Sequence, residues 1–198
     1  MRKMLMLFSA LLVASIAMAD GGALQVVQRV AQYVKLLGRY EVSFVLSAGE
    51  YNAKGYFQVE KDFYYMNIGS AEVYSDGKVR YEVDNERCEI NIDQVDLASR
   101  NILDNPTRCF DFVGSDYKVR REPGSGNNAV LSLTSESEDL IGVIRLVSDS
   151  KTGRPETLEY EMNDEKVKVQ ILSIGSSKEP IKKFAQSAYR DYEIIDFR

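Results

Sequence analysis

Two cysteines, two acidic clusters and a supply of aromatic side chains are the residues in this 198-residue chain whose types or spacing invite chemistry. Histidine is absent, which removes Ser–His and Cys–His nucleophilic pairs, His-ligated zinc and imidazole as a general base. Cys88 and Cys109 cannot make a metal or redox site by themselves, and their spacing matches no zinc pattern. No metal and no cofactor are expected. Cys88 shares the parity of Ile90 and Ile92 on a predicted strand, which would bury it. In an oxidising compartment Cys88 and Cys109 could instead form a disulfide, and both readings stay open. The acidic clusters, Asp84-Asn85-Glu86 and Ser135 to Asp139, fall at predicted turns, where solvated charge is the default. Nothing in the spacing places two carboxylates around one pocket for acid–base work. There is no nucleophile elbow, phosphate-cradling glycine loop, dinucleotide fingerprint or calcium loop. No catalytic residue is assigned, and the chain is not expected to be an enzyme.

The aromatic supply is the more informative feature. The chain has twelve Tyr, eight Phe and no Trp. Phe44, Phe57, Phe63, Tyr65, Tyr81 and Tyr117 all fall on the apolar side of a period-2 alternation. Such side chains either fill a core or line a hollow, and parity alone does not separate the two.

The elements that position them follow from periodicity. Leu24, Val27, Ala31 and Val34 recur at helical spacing, with Val26, Val30, Tyr33 and Leu37 widening the stripe and Gly38 as a C-terminal stop. A stripe so broad predicts a helix covered on most of its circumference. From Tyr40 the period changes to 2. Tyr40, Val42, Phe44 and Leu46 alternate with polar residues, as do Gly55, Phe57 and Val59, then Val79, Tyr81 and Val83. Phe63 to Ile68 is apolar on both parities, which predicts a covering layer on each face. Asp76-Gly77 is a hairpin signal, because that pair tolerates positive φ. After Cys88, Ile90 and Ile92, Asn105-Pro106 predicts a short mid-chain helix through Cys109, Phe110 and Phe112, ending at Gly114. Alternation resumes through Val119, Leu131, Leu133, Ile144, Leu146, Leu158, Tyr160, Val167, Val169 and Ile171, with a last segment at Glu193–Arg198. About eleven strands joined by short turns predict a mainly β, all-antiparallel sheet. That is too many to stay flat, so it must curl into a barrel, a half-barrel or two layers.

The N-terminus predicts the compartment. Arg2 and Lys3 precede an apolar run from Met4 to Ile16, and Ala17-Met18-Ala19 is a small-x-small cleavage site before Asp20. Residues 1–19 are therefore expected to be a signal peptide cleaved after Ala19, leaving 20–198 as one domain exported to the periplasm. No cysteine follows the cleavage site directly, so the chain is not expected to be lipidated. Without Arg2 and Lys3 it carries 23 basic against 30 acidic residues, a charge of −7. That balance speaks against a nucleic acid or an anionic membrane as the main partner.

These features in this order resemble the LolA-type carriers that ferry outer-membrane lipoproteins across the periplasm. The likeness covers most of the mature chain. After the leader and helix, the Gly55-to-Phe63 stretch stands at the family's glycine–aromatic strand and turn. Glu72-Val73-Tyr74-Ser75-Asp76-Gly77-Lys78 matches its serine-aspartate-glycine-lysine hairpin, and Asn105-Pro106 with Phe110 resembles its asparagine-proline helix start. Two departures stand out. Glu60-Lys61-Asp62 occupies the turn where many members have Arg-Pro, and the usual tryptophans are replaced by Tyr and Phe.

The resemblance implies a half-open antiparallel β-barrel with both helices across its mouth and acyl chains inside. On that reading the cavity is lined by Val42, Phe44, Leu46, Phe57, Val59, Phe63, Tyr65, Tyr81, Val83, Ile90, Leu131, Leu133 and Leu146. The helix bearing Leu24, Val27, Ala31 and Val34 is its lid. The implied partners are acylated lipoproteins, an inner-membrane lipoprotein-releasing transporter and an outer-membrane lipoprotein receptor, with the carrier a monomer. A sixteen-carbon chain is worth on the order of 12 kcal/mol against water, so three would exceed the ceiling of about 18–21 kcal/mol for non-covalent binding. Delivery therefore requires a carrier that differs little from the bilayer it competes with. Alternatives are a lipid- or lipoprotein-sensing protein or a protein-interaction module on the same fold.

Overall fold

The computed structural model describes residues 21–137, 140–162 and 165–198. The expected leader, the Asn163-Asp164 turn and the end of the second acidic cluster lie outside the described residues. Helix α1 (Gly21–Leu37) is followed by β1 (Tyr40–Ala48), β2 (Tyr51–Glu60), β3 (Phe63–Ile68), β4 (Ala71–Ser75), β5 (Val79–Asp84) and β6 (Glu89–Gln94). After a long connection come β7 (Lys118–Glu122), β8 (Asn128–Thr134), β9 (Val143–Asp149), β10 (Pro155–Met162), β11 (Glu165–Ser176) and β12 (Glu193–Asp196). The twelve strands of the described residues form one sheet, in the order β12-β6-β5-β4-β3-β2-β1-β11-β10-β9-β8-β7. Two meanders are thus joined edge to edge by the β1–β11 pair, leaving β7 and β12 as free edges. This open, curved sheet around an N-terminal helix is the expected half-open barrel.

Cross-strand register builds the inner wall. Leu131, Leu146, Leu158, Val169 and Leu46 stand opposite one another in turn across five strands, forming one continuous apolar row. A second row runs Val42–Phe57–Met66–Val73 and then turns polar at Glu82 and Asn91. On the opposite face the parallel row is Gln58–Tyr65–Tyr74–Tyr81–Ile92. The greasy side of the sheet therefore switches from inner to outer between β4 and β5.

Each face has its own cover. Ala23, Val26, Val27 and Val30 of α1 are buried in the inner core together with Phe44, Phe57, Ile102, Phe110 and Phe112. Ile181 closes the outer cluster of Tyr65, Tyr74, Val83, Ile90 and Ile92, with Phe184, Tyr189 and Tyr192 packed on it. Phe184 stacks on Tyr81, ring centroids 4.2 Å apart, and lies parallel to Tyr189 at 5.7 Å. The expected covering layer on both faces of Phe63–Ile68 is thus present, and the outer one is the chain's own C-terminal segment.

Several expectations are corrected. Among the described residues the sheet has twelve strands and is not wholly antiparallel, because β12 pairs parallel with β6. The C-terminal segment crosses the outer face and reaches the free edge running in the direction of β6. No helix forms at Asn105-Pro106. Asn105 does cap, its Oδ1 accepting from the Thr107 amide at 3.2 Å. The chain then goes on in separate three-residue turns, Arg108 N to Asn105 O and Asp111 N to Arg108 O. Its carbonyls are drawn to the wall. The Asp104 carbonyl accepts from the Tyr64 hydroxyl at 3.0 Å, and that of Pro106 from the Tyr40 hydroxyl at 3.5 Å. A buried loop must satisfy its backbone somewhere, and here tyrosines of the sheet supply the donors. Cys88 is exposed in the β5–β6 turn at φ +55°, whereas Cys109 is buried in the mid-chain loop, and both are free thiols. The Cys88 carbonyl accepts from the Glu193 amide at the start of β12, whereas Cys109 belongs to the inner core.

Candidate functional site

The inner wall and its covering helix are where the sequence expectation and the geometry can be compared residue by residue. Val42, Phe44, Leu46, Phe57, Val59, Leu131, Leu133 and Leu146 come together in the inner core, each at most 5% exposed. Tyr65, Val83 and Ile90 belong to the outer cluster, with Tyr81 packed against it. Phe63, of the same parity as Tyr65, is exposed at the start of β3. These five do not line the hollow. Their strands alternate as expected, but the face that alternation buries is the opposite one. Sequence reading also missed Tyr64, Met66 and Val73, which do face inward. Of the predicted lid residues, Val27 is buried, Ala31 and Val34 are half-buried and Leu24 is exposed. The true contact stripe is Ala23–Val26–Val27–Val30, continued by Val34 and Leu37. Leu36 is 78% exposed, so the helix is not covered on most of its circumference.

Most of the inner wall is occupied by α1 and the 101–117 loop, and free space remains at their margins. A trough of about 590 Å³ opens between the C-terminal half of α1, the ends of β1 and β2, and the loop. Its floor is Ala31, Val34, Tyr40, Val59 and Phe110; its lip carries Lys35, Arg39, Glu60, Lys61 and Asp111. That volume falls within the roughly 300–1,000 Å³ of sites that hold a small ligand. An adjoining hollow shares Ala31 and Lys35 with the trough and continues over Gln28, Gln32, Leu36 and Val113. At the other end of the wall a space of about 270 Å³ lies among Leu46, Met66, Val73 and Leu103, beside the Arg80–Glu82 ion pair.

The lip has a definite charge arrangement. Arg39 holds Glu60 at 2.7 Å and also donates to the carbonyls of Lys178 and Glu179, tying the start of β1 to the chain after β11. The Arg39 hydrogen bond, aided by its charge and those of Lys61 and Lys183, keeps the Glu60 carboxyl below its ordinary range. Burial pushes the Tyr40 hydroxyl on the trough floor well above its usual value, so it stays a neutral donor. Lys61 adopts φ +58° in the β2–β3 turn. For a residue with a Cβ that conformation costs about 1–2 kcal/mol, and glycine, asparagine or aspartate is the usual occupant. The lip residues escaped the sequence reading except as Glu60-Lys61-Asp62, noted only as a departure from the family turn. A lysine directly after a strand, where the turn requires positive φ, was the available signal.

No protein-family model matches the chain, and no curated protein sequence matches it. Solved structures do. A conserved protein from Thermus thermophilus superposes with a TM-score of 0.54 at 9% identity, covering 87% of this chain and 97% of that one. A LolA superfamily protein from Nitrosomonas europaea gives 0.44 at 10% identity over 80% and 94% of the two chains. MucB, also known in a Pseudomonas aeruginosa complex with MucA, gives 0.49 at 17% identity over 84% of this chain and 62% of its own. The Thermus likeness shows a shared fold and carries no activity with it; the other two overlay less closely.

Proposed function

We propose that this LolA-like chain is a non-enzymatic periplasmic carrier that holds lipoprotein acyl chains against its inner wall and moves them from inner to outer membrane. On this reading residues 1–19 are removed after Ala19, and the 20–198 domain works as a monomer. It receives cargo from an inner-membrane lipoprotein-releasing transporter and gives it up to an outer-membrane lipoprotein receptor. The observation that carries the reading is the way α1 is seated. An apolar helical stripe, rather than the sheet's own side chains, covers the inner wall, and an apolar trough stays open beside it.

Energetics support the exchange of helix for cargo. Burying Val26, Val27 and Val30 is worth about 1.5–3 kcal/mol each. One sixteen-carbon chain on the same wall is worth on the order of 12 kcal/mol against water. A single acyl chain can therefore offset the lifting of α1, while the trough gives it a place to begin. The buried Phe44, Phe57, Phe110 and Phe112 favour a second reading, in which the hollow is a filled core and the fold serves protein–protein contact.

Intact-mass analysis of protein purified gently from the cell envelope distinguishes the two. The carrier reading expects bound acylated polypeptide, and uptake of a fluorescent fatty acid by the emptied protein. It also expects an engineered disulfide pinning α1 to the sheet to abolish cargo transfer. Absence of any bound acyl species together with no fatty-acid uptake would leave the interaction module as the function.

A further inference from the structure

The trough has a greasy floor and a cationic lip, and the lip carries more positive charge than its own acids neutralise. Glu60 is paired with Arg39 at 2.7 Å and Asp111 with Arg108 at 3.2 Å. Lys35 and Lys61 make no ion pair within 4.0 Å among the described residues, the Lys61 charge only assisting Arg39 in holding Glu60, and both are exposed. Two ammonium groups are thus left at the rim of an apolar site. Lys35 lies in the last turn of α1, where its own carbonyl accepts from the Gly38 amide and that of Leu37 from the Ser176 hydroxyl. Lys61 is presented at the lip by a strained turn, a conformation retained at the cost of stability. The adjoining hollow past Lys35 lets a long chain continue over Leu36 and Val113 with α1 in place.

We infer that the trough takes a single-chain amphiphile with an anionic head, its tail on the Val34–Val59–Phe110 floor and its head at Lys35 and Lys61. The inference rests on the acyl-chain reading above and adds the chemistry of the head. A carboxylate and a phosphate ester share that chemistry. Low-dielectric walls beside the two cations focus their field on the bound anion, and added salt screens it.

The test titrates the full mature chain with cis-parinaric acid and with its methyl ester, below their aggregation concentrations and at low salt. The acid should bind at least about tenfold tighter than the ester, and salt should weaken the acid alone. Lys35→Gln and Lys61→Gly should each cut that preference several-fold and leave the ester's affinity unmoved. Lys61→Gly should raise the melting temperature as it does so, which separates loss of the charge from damage to the fold. Displacement of the acid by palmitate or by a palmitoyl lysophosphatidate supports the inference and names the head. Equal binding of acid and ester, or variants that weaken both alike, overturns the anionic head and leaves acyl binding standing. Binding of neither probe overturns both.

Discussion

At the scale of single residues, Gly55 shows how closely the wall is built. It lies opposite Phe44 in the β1–β2 register, and the Phe44 ring rests on the space where a side chain would begin. A Cβ at Gly55 would sit 2.2 Å from the tip of that ring. Phe44 is fully buried, and Phe57 stands 5.9 Å from it, so the ring has little room to yield. Gly55→Ala should cost about 1–3 kcal/mol as an overpacked core, read as a lower urea midpoint with unchanged slope. Adding Phe44→Leu should return part of that loss, since the two sites share one volume. An unchanged midpoint in the single variant would mean that the ring does not cover Gly55. In the sequence the same glycine is legible only as the first member of the Gly55–Phe57–Val59 alternation and of a glycine–aromatic strand. That it leaves room for an aromatic ring from the next strand is a matter of register.

At the scale of elements, the C-terminal segment is fastened across β3 and β4 by one carboxylate. Glu72 accepts from the Tyr65 hydroxyl at 2.7 Å and the Tyr189 hydroxyl at 3.1 Å, and is ion-paired with Lys182. Burial alone would raise its pKa, but these hydrogen bonds outweigh it and hold the carboxyl down to about 2. A carboxylate whose pKa is lowered by folding stabilises the native state above its unfolded value and loses that contribution as pH falls. The attachment should therefore be fully present above about pH 4.5 and fade toward pH 2. Glu72→Gln does not titrate there. Its stability deficit against wild type, followed by urea unfolding, should be widest near pH 6 and shrink steadily on acidification. A deficit independent of pH would show that the carboxylate's charge does not hold the segment.

At the scale of the whole molecule, the sheet is one continuous body and α1 is a separate piece laid into it. The helix is pinned by few polar contacts. Arg29 donates to the Ser150 carbonyl, and Gly153 sits so close that a Cβ there would lie 2.6 Å from the Arg29 carbonyl. Arg29→Met keeps the stem and removes the pin, at a cost of about 1 kcal/mol. Hydrogen exchange should then quicken by roughly fivefold across α1 with β8 to β11 unchanged; equal quickening of the sheet would mean that helix and wall open as one. What the chain's own order of residues settled was local. Period 3.6 before Gly38 and period 2 after it set helix and strands, Asp76-Gly77 set a hairpin, and the residue types excluded imidazole chemistry. Those features depend on neighbours in sequence, and a single strand shows that one of its faces is apolar. Which face that is, and what covers it, depends on distant segments. Tyr81, Val83 and Ile90 alternate as regularly as Phe44 and Leu46, yet they turn outward because the C-terminal segment returns to bury them. Asn105-Pro106 has the residues to begin a helix, yet it stays a series of turns packed on the wall, where the hydroxyls of Tyr64 and Tyr40 donate to the Asp104 and Pro106 carbonyls. Burial is a property of two surfaces meeting, so only the tertiary structure could decide it.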